Sequence, residues 1–140
     1  MIPMTIASVE VEAPVELGVD AGVVILREEA EPGRYLQLVI GQAEARAIAL
    51  GRSGVAFARP STWDLFAQTL STLGAQLERV VITAVEEERY FFAVIEMRLA
   101  DEVYAVSARP SDALALAARV ADAEILINPQ VLDAVGIPPS

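Results

Sequence analysis

No cysteine, histidine or lysine occurs anywhere in this chain. Without cysteine there are no disulfides, no thiolate metal sites and no thiol nucleophile. Without histidine, the usual general base near neutral pH and the commonest transition-metal ligand are both missing. Without lysine, Schiff-base chemistry and a phosphate-loop lysine are excluded, and every basic side chain is an arginine. Any catalysis must therefore rest on carboxylates, hydroxyls, Tyr, Arg or a hard metal ion held by oxygen. No apolar stretch approaches the roughly 20 residues of a membrane-spanning helix. The start, Met1-Ile2-Pro3-Met4, lacks the basic region of a signal peptide. No membrane partner and no organic cofactor are expected.

What is present is apolar and acidic. Hydrophobic residues make up 54% of the 140, and the formal net charge is −10. Surplus apolar surface points to subunit contacts, so the expectation is a cytoplasmic homo-oligomer, a dimer as first guess. The negative charge repels phosphate backbones at long range. Only a local arginine cluster would create a face for nucleic acid.

The length suits one domain over residues 1–140. Thr5 to Ala13 reads as a first strand. Gly22 to Glu28 and Tyr35 to Ile40 are β-rich runs joined through Pro32-Gly33, a strong turn signal, and predict a hairpin. Gly41 to Leu50 reads as an Ala-rich helix stopped near Gly51 and Gly54. Thr62 to Leu73 reads as a second helix, with Leu65, Phe66, Thr69, Leu70 and Leu73 as its apolar stripe. Gln76 to Val85 and Tyr90 to Leu99 are strands about the acidic turn Glu86-Glu87-Glu88, with Val103 to Ala108 beside them. Asp112 to Val120 is a helix apolar nearly all round, which belongs in a core. A short strand at Glu124 to Ile127 and a short helix at Pro129 to Val135 complete the pattern. Strands arriving in hairpins predict an α+β fold: a mostly antiparallel or mixed sheet with packed helices.

One phrase occurs twice. Ala58-Arg59-Pro60-Ser61 returns as Ala108-Arg109-Pro110-Ser111, each time ahead of a helical run with an early aspartate, Asp64 or Asp112. Proline suits a helix start, and Ser or Thr caps its free N–H groups. Asp64 lies three residues after Ser61, the spacing of a capping box; the same carboxylate would also suit a metal ion or an attacking water. Ser111 reads as a cap with Asp112 on the helix dipole. Arg59 and Arg109 either pair with Asp112 and Asp64 across the repeat or bind phosphate bidentately. The doubled phrase is also compatible with an internal duplication, although the halves match poorly elsewhere.

Three phrases in order carry a resemblance: Ile40-Gly41-Gln42-Ala43-Glu44-Ala45-Arg46-Ala47-Ile48-Ala49, Arg59-Pro60-Ser61-Thr62-Trp63-Asp64-Leu65, and Arg109-Pro110-Ser111-Asp112-Ala113-Leu114-Ala115-Leu116-Ala117. With the Val24-Ile25-Leu26-Arg27-Glu28 and Tyr90-Phe91-Phe92-Ala93 strands, the set resembles the bifunctional nuclease (BFN) domain family over most of residues 5 to 137. The resemblance implies a compact α+β domain with proposed DNase and RNase activity, and hence nucleic acid as partner. It implies Glu44, Asp64 and Asp112 in acidic, catalytic roles, around a divalent cation such as Mg or Mn. Arg59, Thr62, Arg109 and Ser111 would then contact substrate. One position departs from the family pattern: its usual histidine is Trp63 here. The competing reading is a non-catalytic oligomeric binding or regulatory module built on the same arginines and acids. Both readings expect the two helix mouths to adjoin, with Arg59 or Asp64 near Arg109 or Asp112.

Overall fold

The computed structural model describes residues 1–139. Seven strands form one mixed sheet: β1 (Ile2–Glu10), β2 (Ala21–Glu28), β3 (Tyr35–Gly41), β4 (Ala75–Glu86), β5 (Tyr90–Leu99), β6 (Glu102–Ala108) and β7 (Glu124–Ile127). Four helices accompany it: α1 (Gln42–Ser53), α2 (Thr62–Thr72), α3 (Pro110–Ala117) and α4 (Pro129–Val135). The α+β expectation holds. The first strand begins and ends about three residues earlier than its periodicity suggested, because Ile2 to Met4 find partners in β7. A short 3-10 turn at Val15–Leu17 bridges β1 and β2.

The spatial order is β3-β2-β1-β7-β4-β5-β6. Each half is an antiparallel three-strand meander, β1-β2-β3 or β4-β5-β6, and each runs straight into a helix, α1 or α3. The four-residue β7 lies between the halves, antiparallel to β1 and parallel to β4. A parallel neighbour needs a crossover. Here the chain returns from β6 to β7 through α3, which packs on β4 and β5.

This arrangement bears on the internal duplication with which the repeated phrase is compatible. The structural counterpart of α3 is α1, since both follow the third strand of a meander; the first copy of the phrase instead opens α2. Equivalent positions are therefore Glu44 and Asp112, each three residues past its N-cap, Gly41 or Arg109.

The core lies between the helices and the sheet. Leu26, Leu36, Leu38, Ile48, Ile82, Leu114, Ile127 and Leu132 are fully buried in it. Small residues let α1 come close on two sides. A Cβ on Gly22 would overlap the Ala45 methyl, and a Cβ on Gly51 would lie 2.9 Å from that of Ala118. In α3, Ala113 to Ala117 are all buried, as expected of a helix without a polar face. The stripe expected for α2 is corrected. Leu65, Phe66 and Leu73 are exposed, while Trp63, Ala67 and Leu70 pack on the core. This helix is apolar on adjacent faces, so 3.6-residue periodicity does not single out the buried one.

Two expectations about turns are met. The β2–β3 hairpin is closed by Arg34, which donates to both Glu28 carboxylate oxygens and reaches Asp133 of α4. In the β4–β5 turn, Glu87 and Glu88 take positive φ, 53° and 59°, the left-handed backbone that a tight hairpin demands.

Replacing Gly51 with alanine tests the α1–α3 approach. Helix propensity alone favours the change by up to about 1 kcal/mol. Overlap with Ala118 and with the pinned Arg119 guanidinium outweighs that gain. Gly51→Ala should therefore lose about 1–2 kcal/mol, read as a lower urea midpoint at unchanged slope.

Candidate functional site

Three helix starts, those of α1, α2 and α3, meet on one side of the molecule. Their polar side chains sort into two clusters. The inner one is built on Arg119, whose side chain is only 9% exposed. Its Nε donates to Asp64 Oδ1 at 2.6 Å, and its Nη1 donates to the carbonyls of Ala47 at 2.9 Å and Ala115 at 2.7 Å. One guanidinium thus ties the α2 start to α1 and α3.

Asp64 is held on its other oxygen too. Oδ2 accepts from the Ser61 backbone N–H at 2.9 Å and hydroxyl at 2.8 Å, while the Ser61 hydroxyl accepts from the Asp64 N–H. The capping box read from the Ser61–Asp64 spacing is present. The Arg119 hydrogen bond first, and the Ser61 donors next, pull the Asp64 carboxyl from 3.8 to about 2.

The outer cluster surrounds Arg109, the N-cap residue of α3, with its side chain 64% exposed. Nε donates to Asp112 Oδ2 at 2.7 Å and Nη2 to Asp112 Oδ1 at 3.1 Å, a bidentate pair. Nη2 also reaches Glu44 Oε1 at a longer 3.4 Å. These carboxylates, Asp112 before Glu44, raise the Arg109 pKa further. Trp63 Nε1 donates to Asp112 Oδ1 at 3.3 Å, fixing the indole against the α3 start. A Cβ on Gly41 would overlap Glu44 Oε2, so glycine at that N-cap leaves room for the carboxylate to fold back.

Beside this rim runs an apolar groove of about 460 Å³, lined by Thr62, Trp63, Phe66, Ile95, Val106, Arg109, Asp112 and Leu116 among others. Ser111 is 94% out of solvent, with 6% exposure, and lines a smaller recess with Gly41, Phe91 and Arg109.

The helix mouths adjoin as expected, but the connection differs from the one foreseen. Trp63 to Asp112 is the direct link between the two phrases. Arg59 is exposed and pairs with no carboxylate among the described residues; Arg119 takes the place at Asp64 that was foreseen for Arg109, and Arg109 stays with the aspartate of its own phrase. Ser111 makes no capping hydrogen bond, because Arg109 and not Ser111 is the N-cap of α3. Thr62 is the exposed first residue of α2 at the groove's edge. Sequence reasoning missed Arg119. Its signal was a lone charge in an otherwise apolar helical run, Ala115-Leu116-Ala117-Ala118-Arg119-Val120, since such a charge is buried only with a partner.

The acids do not gather as a donor set for a cation. Among the described residues no three acidic side chains converge. Asp64, Asp112 and Glu44 each face a guanidinium instead. These residues, as arranged, do not fit a divalent ion. No helix among the described residues is long and apolar enough to cross a membrane.

Comparison with known proteins agrees with the motifs. A family model described as the bifunctional nuclease domain matches residues 24–140. Two uncharacterized proteins of Mycobacterium tuberculosis, from two strains, are each 40% identical to this chain over 114 residues. The match takes in 81% of this chain, and the chain spans 66% of the length of these curated relatives.

Asp64 makes stability depend on acid. Its folded-state pKa lies below the unfolded value, so the contribution is complete above about pH 4 and is lost as pH falls towards 2. Discounted for one-third exposure of the side chain, it amounts to about 1–2 kcal/mol. Urea titrations at pH 6 and pH 2.5 should show this loss in the wild type and a smaller one in Asp64→Asn. Arg119→Ala, which leaves Asp64 and two carbonyls without their donor, should cost about 3 kcal/mol at neutral pH.

Proposed function

The chain belongs to the bifunctional nuclease domain family, and from that premise we propose that it binds single-stranded nucleic acid along the Trp63–Arg109 groove and hydrolyses phosphodiester bonds there. The observation that carries this reading is the setting of Arg109. An exposed guanidinium stands between two carboxylates, next to a groove walled by Trp63 and Phe66. A phosphate accepts bidentate hydrogen bonds from such a fork. Bases stack on aromatic side chains whatever their sequence.

The distances suggest how a phosphate enters. Asp112 holds Arg109 by two short bonds and keeps it in place, whereas the single 3.4 Å bond to Glu44 is the weaker arm. A phosphate that displaces Glu44 leaves that carboxylate beside the reacting group, free to accept a proton from the attacking water. As the water oxygen bonds phosphorus, one phosphorus–oxygen ester bond breaks and the leaving alkoxide takes that proton back from Glu44. In this reading Glu44 is the acid–base residue, Arg109 the phosphate ligand, and Asp112 the group that orients both Arg109 and Trp63. Asp64 is assigned to architecture, with Arg119. Thr62, at the groove's edge, is the remaining substrate contact, whereas the buried Ser111 lines the neighbouring recess.

Net charge opposes nucleic acid overall, but it is unevenly spread. From Ala45 to Trp63 there are three arginines, Arg46, Arg52 and Arg59, and no acid. Those three are also the arginines without a carboxylate partner among the described ion pairs. They give α1 and the following loop a local positive charge at which phosphates are tolerated.

A second reading is favoured by the engagement of every candidate acid with an arginine, and by Trp63 in the position of the family's histidine. On that reading the domain binds nucleic acid without cutting it. Fluorescence anisotropy and gel cleavage with end-labelled single-stranded RNA and DNA, in EDTA and with Mg²⁺ or Mn²⁺, separate the two. The proposal expects Arg109→Ala to weaken binding about tenfold and to reduce the salt slope by about 1. Glu44→Gln should leave binding intact and slow cleavage about 100-fold. Binding without cleavage selects the second reading. Absence of wild-type binding at low salt overturns both.

A further inference from the structure

The sheet has two edges, and they are treated differently. On β3, Ile137 caps the Tyr35 end of the edge by exchanging two backbone hydrogen bonds with Tyr35, at 2.8 and 2.7 Å. On β6, the equivalent edge of the other half, no strand or bridge follows among the described residues. Every residue from Glu102 to Ser107 is exposed there. Edge strands are ordinarily protected by charge, proline or a bulge. From Val103 to Ala108 this strand has no charged residue and no proline, and it pairs with β5 without a register shift.

We propose that β6 pairs antiparallel with β6 of a second copy, about a two-fold axis through Ala105, so that the two sheets become one. The occupant follows from the ends of the strand. In that register Tyr104 faces Val106 of the second copy, and Asp101 faces its Arg109. The acidic end, Asp101-Glu102, thus meets the exposed Arg109 guanidinium at both ends of the contact. A parallel pairing would set acid against acid. An isologous contact of this kind also closes, since it uses the β6 edge of both copies at once.

The available area is sufficient. Phe66, Phe92, Leu99, Val103, Tyr104 and Val106 flank the edge and are each between 42% and 47% exposed. At on the order of 80–100 Å² apiece, together with the strand backbone, they offer roughly 600–800 Å² per copy, close to that of a standard interface. The pairing also reaches the groove. Val106 lies in its wall and Arg109 on its rim, so the second copy supplies a carboxylate, that of Asp101, to the Arg109 cluster. This interface is argued from the edge, the charges at its ends and the exposed area rather than from the nuclease reading, although it shares Phe66, Val106 and Arg109 with the groove.

The absence of native cysteine makes the test direct. Residues across an antiparallel two-fold have Cα atoms about 4.5–5.5 Å apart, within disulfide range. Ala105→Cys should oxidise to a covalent dimer, while Gln37→Cys, on the exposed surface of β3, should not. Light scattering at micromolar concentration should give twice the chain mass for the wild type. Ala105→Lys, which sets two like charges against each other on the axis, should raise the dissociation constant at least about tenfold with unchanged circular dichroism. A wild-type monomer overturns the proposal. So does a dimer that Ala105→Cys fails to cross-link or that cross-links through Gln37→Cys.

Discussion

One buried guanidinium fixes the relation of three helices. Arg119 lies where α1, α2 and α3 converge, and its Nε and Nη1 donate to Asp64 and to two main-chain carbonyls. A charge this buried is tolerated only because its partners are already in place. The ion pair therefore acts less as a source of net stability than as a condition on geometry. If α2 moved away, it would leave a cation facing two carbonyls, and if α1 moved away it would lose a donor to Ala47. The groove on the outer side keeps its width because the Arg119 bonds set the distance between the helices that wall it.

Much of this fold is legible in the sequence because local signals agree with the tertiary result. Pro32-Gly33 and the Glu86-Glu87-Glu88 turn mark the hairpins, and the alternation from Phe91 to Met97 gives the buried face of β5. The position of β7 is not legible. Glu124 to Ile127 reads as a strand, but nothing in four residues states that it will lie between β1 and β4, since its neighbours are set by long-range pairing. The buried face of α2 is hidden for a related reason: a helix apolar on adjacent faces lets its surroundings choose between them. The candidate site divides in the same way. The Ser61–Asp64 capping box is local and readable, whereas the Arg119–Asp64 pair spans 55 residues and leaves only a lone charge as its trace.

The two meanders place Glu44 and Asp112 at matching points of matching helices, yet the site between them is not symmetric. Only the second half contributes an arginine at the N-cap, Arg109; the first half has Gly41 there. A glycine on one side and a guanidinium on the other convert two similar helix starts into one shared cluster, with the cation supplied once and the carboxylates supplied twice. The repeated phrase in the sequence points elsewhere, to α2, whose arginine, Arg59, remains free at the surface. Sequence repetition and structural repetition are thus out of step by one helix.

The place of β7 bears on the order in which this molecule comes together. Each meander is made of neighbours in sequence and is able to pair as soon as it has been synthesised, because short loops close at small entropic cost. The halves have no strand contact with each other until Glu124 to Ile127 arrives between them. Until that moment, two apolar strand edges, those of β1 and β4, stand open to solvent. A growing chain therefore carries the β1 edge open from its first meander and the β4 edge from its second, and hides both in one late step. Conditions that delay that step, such as crowded refolding at high concentration, leave these two edges available to strands of other chains.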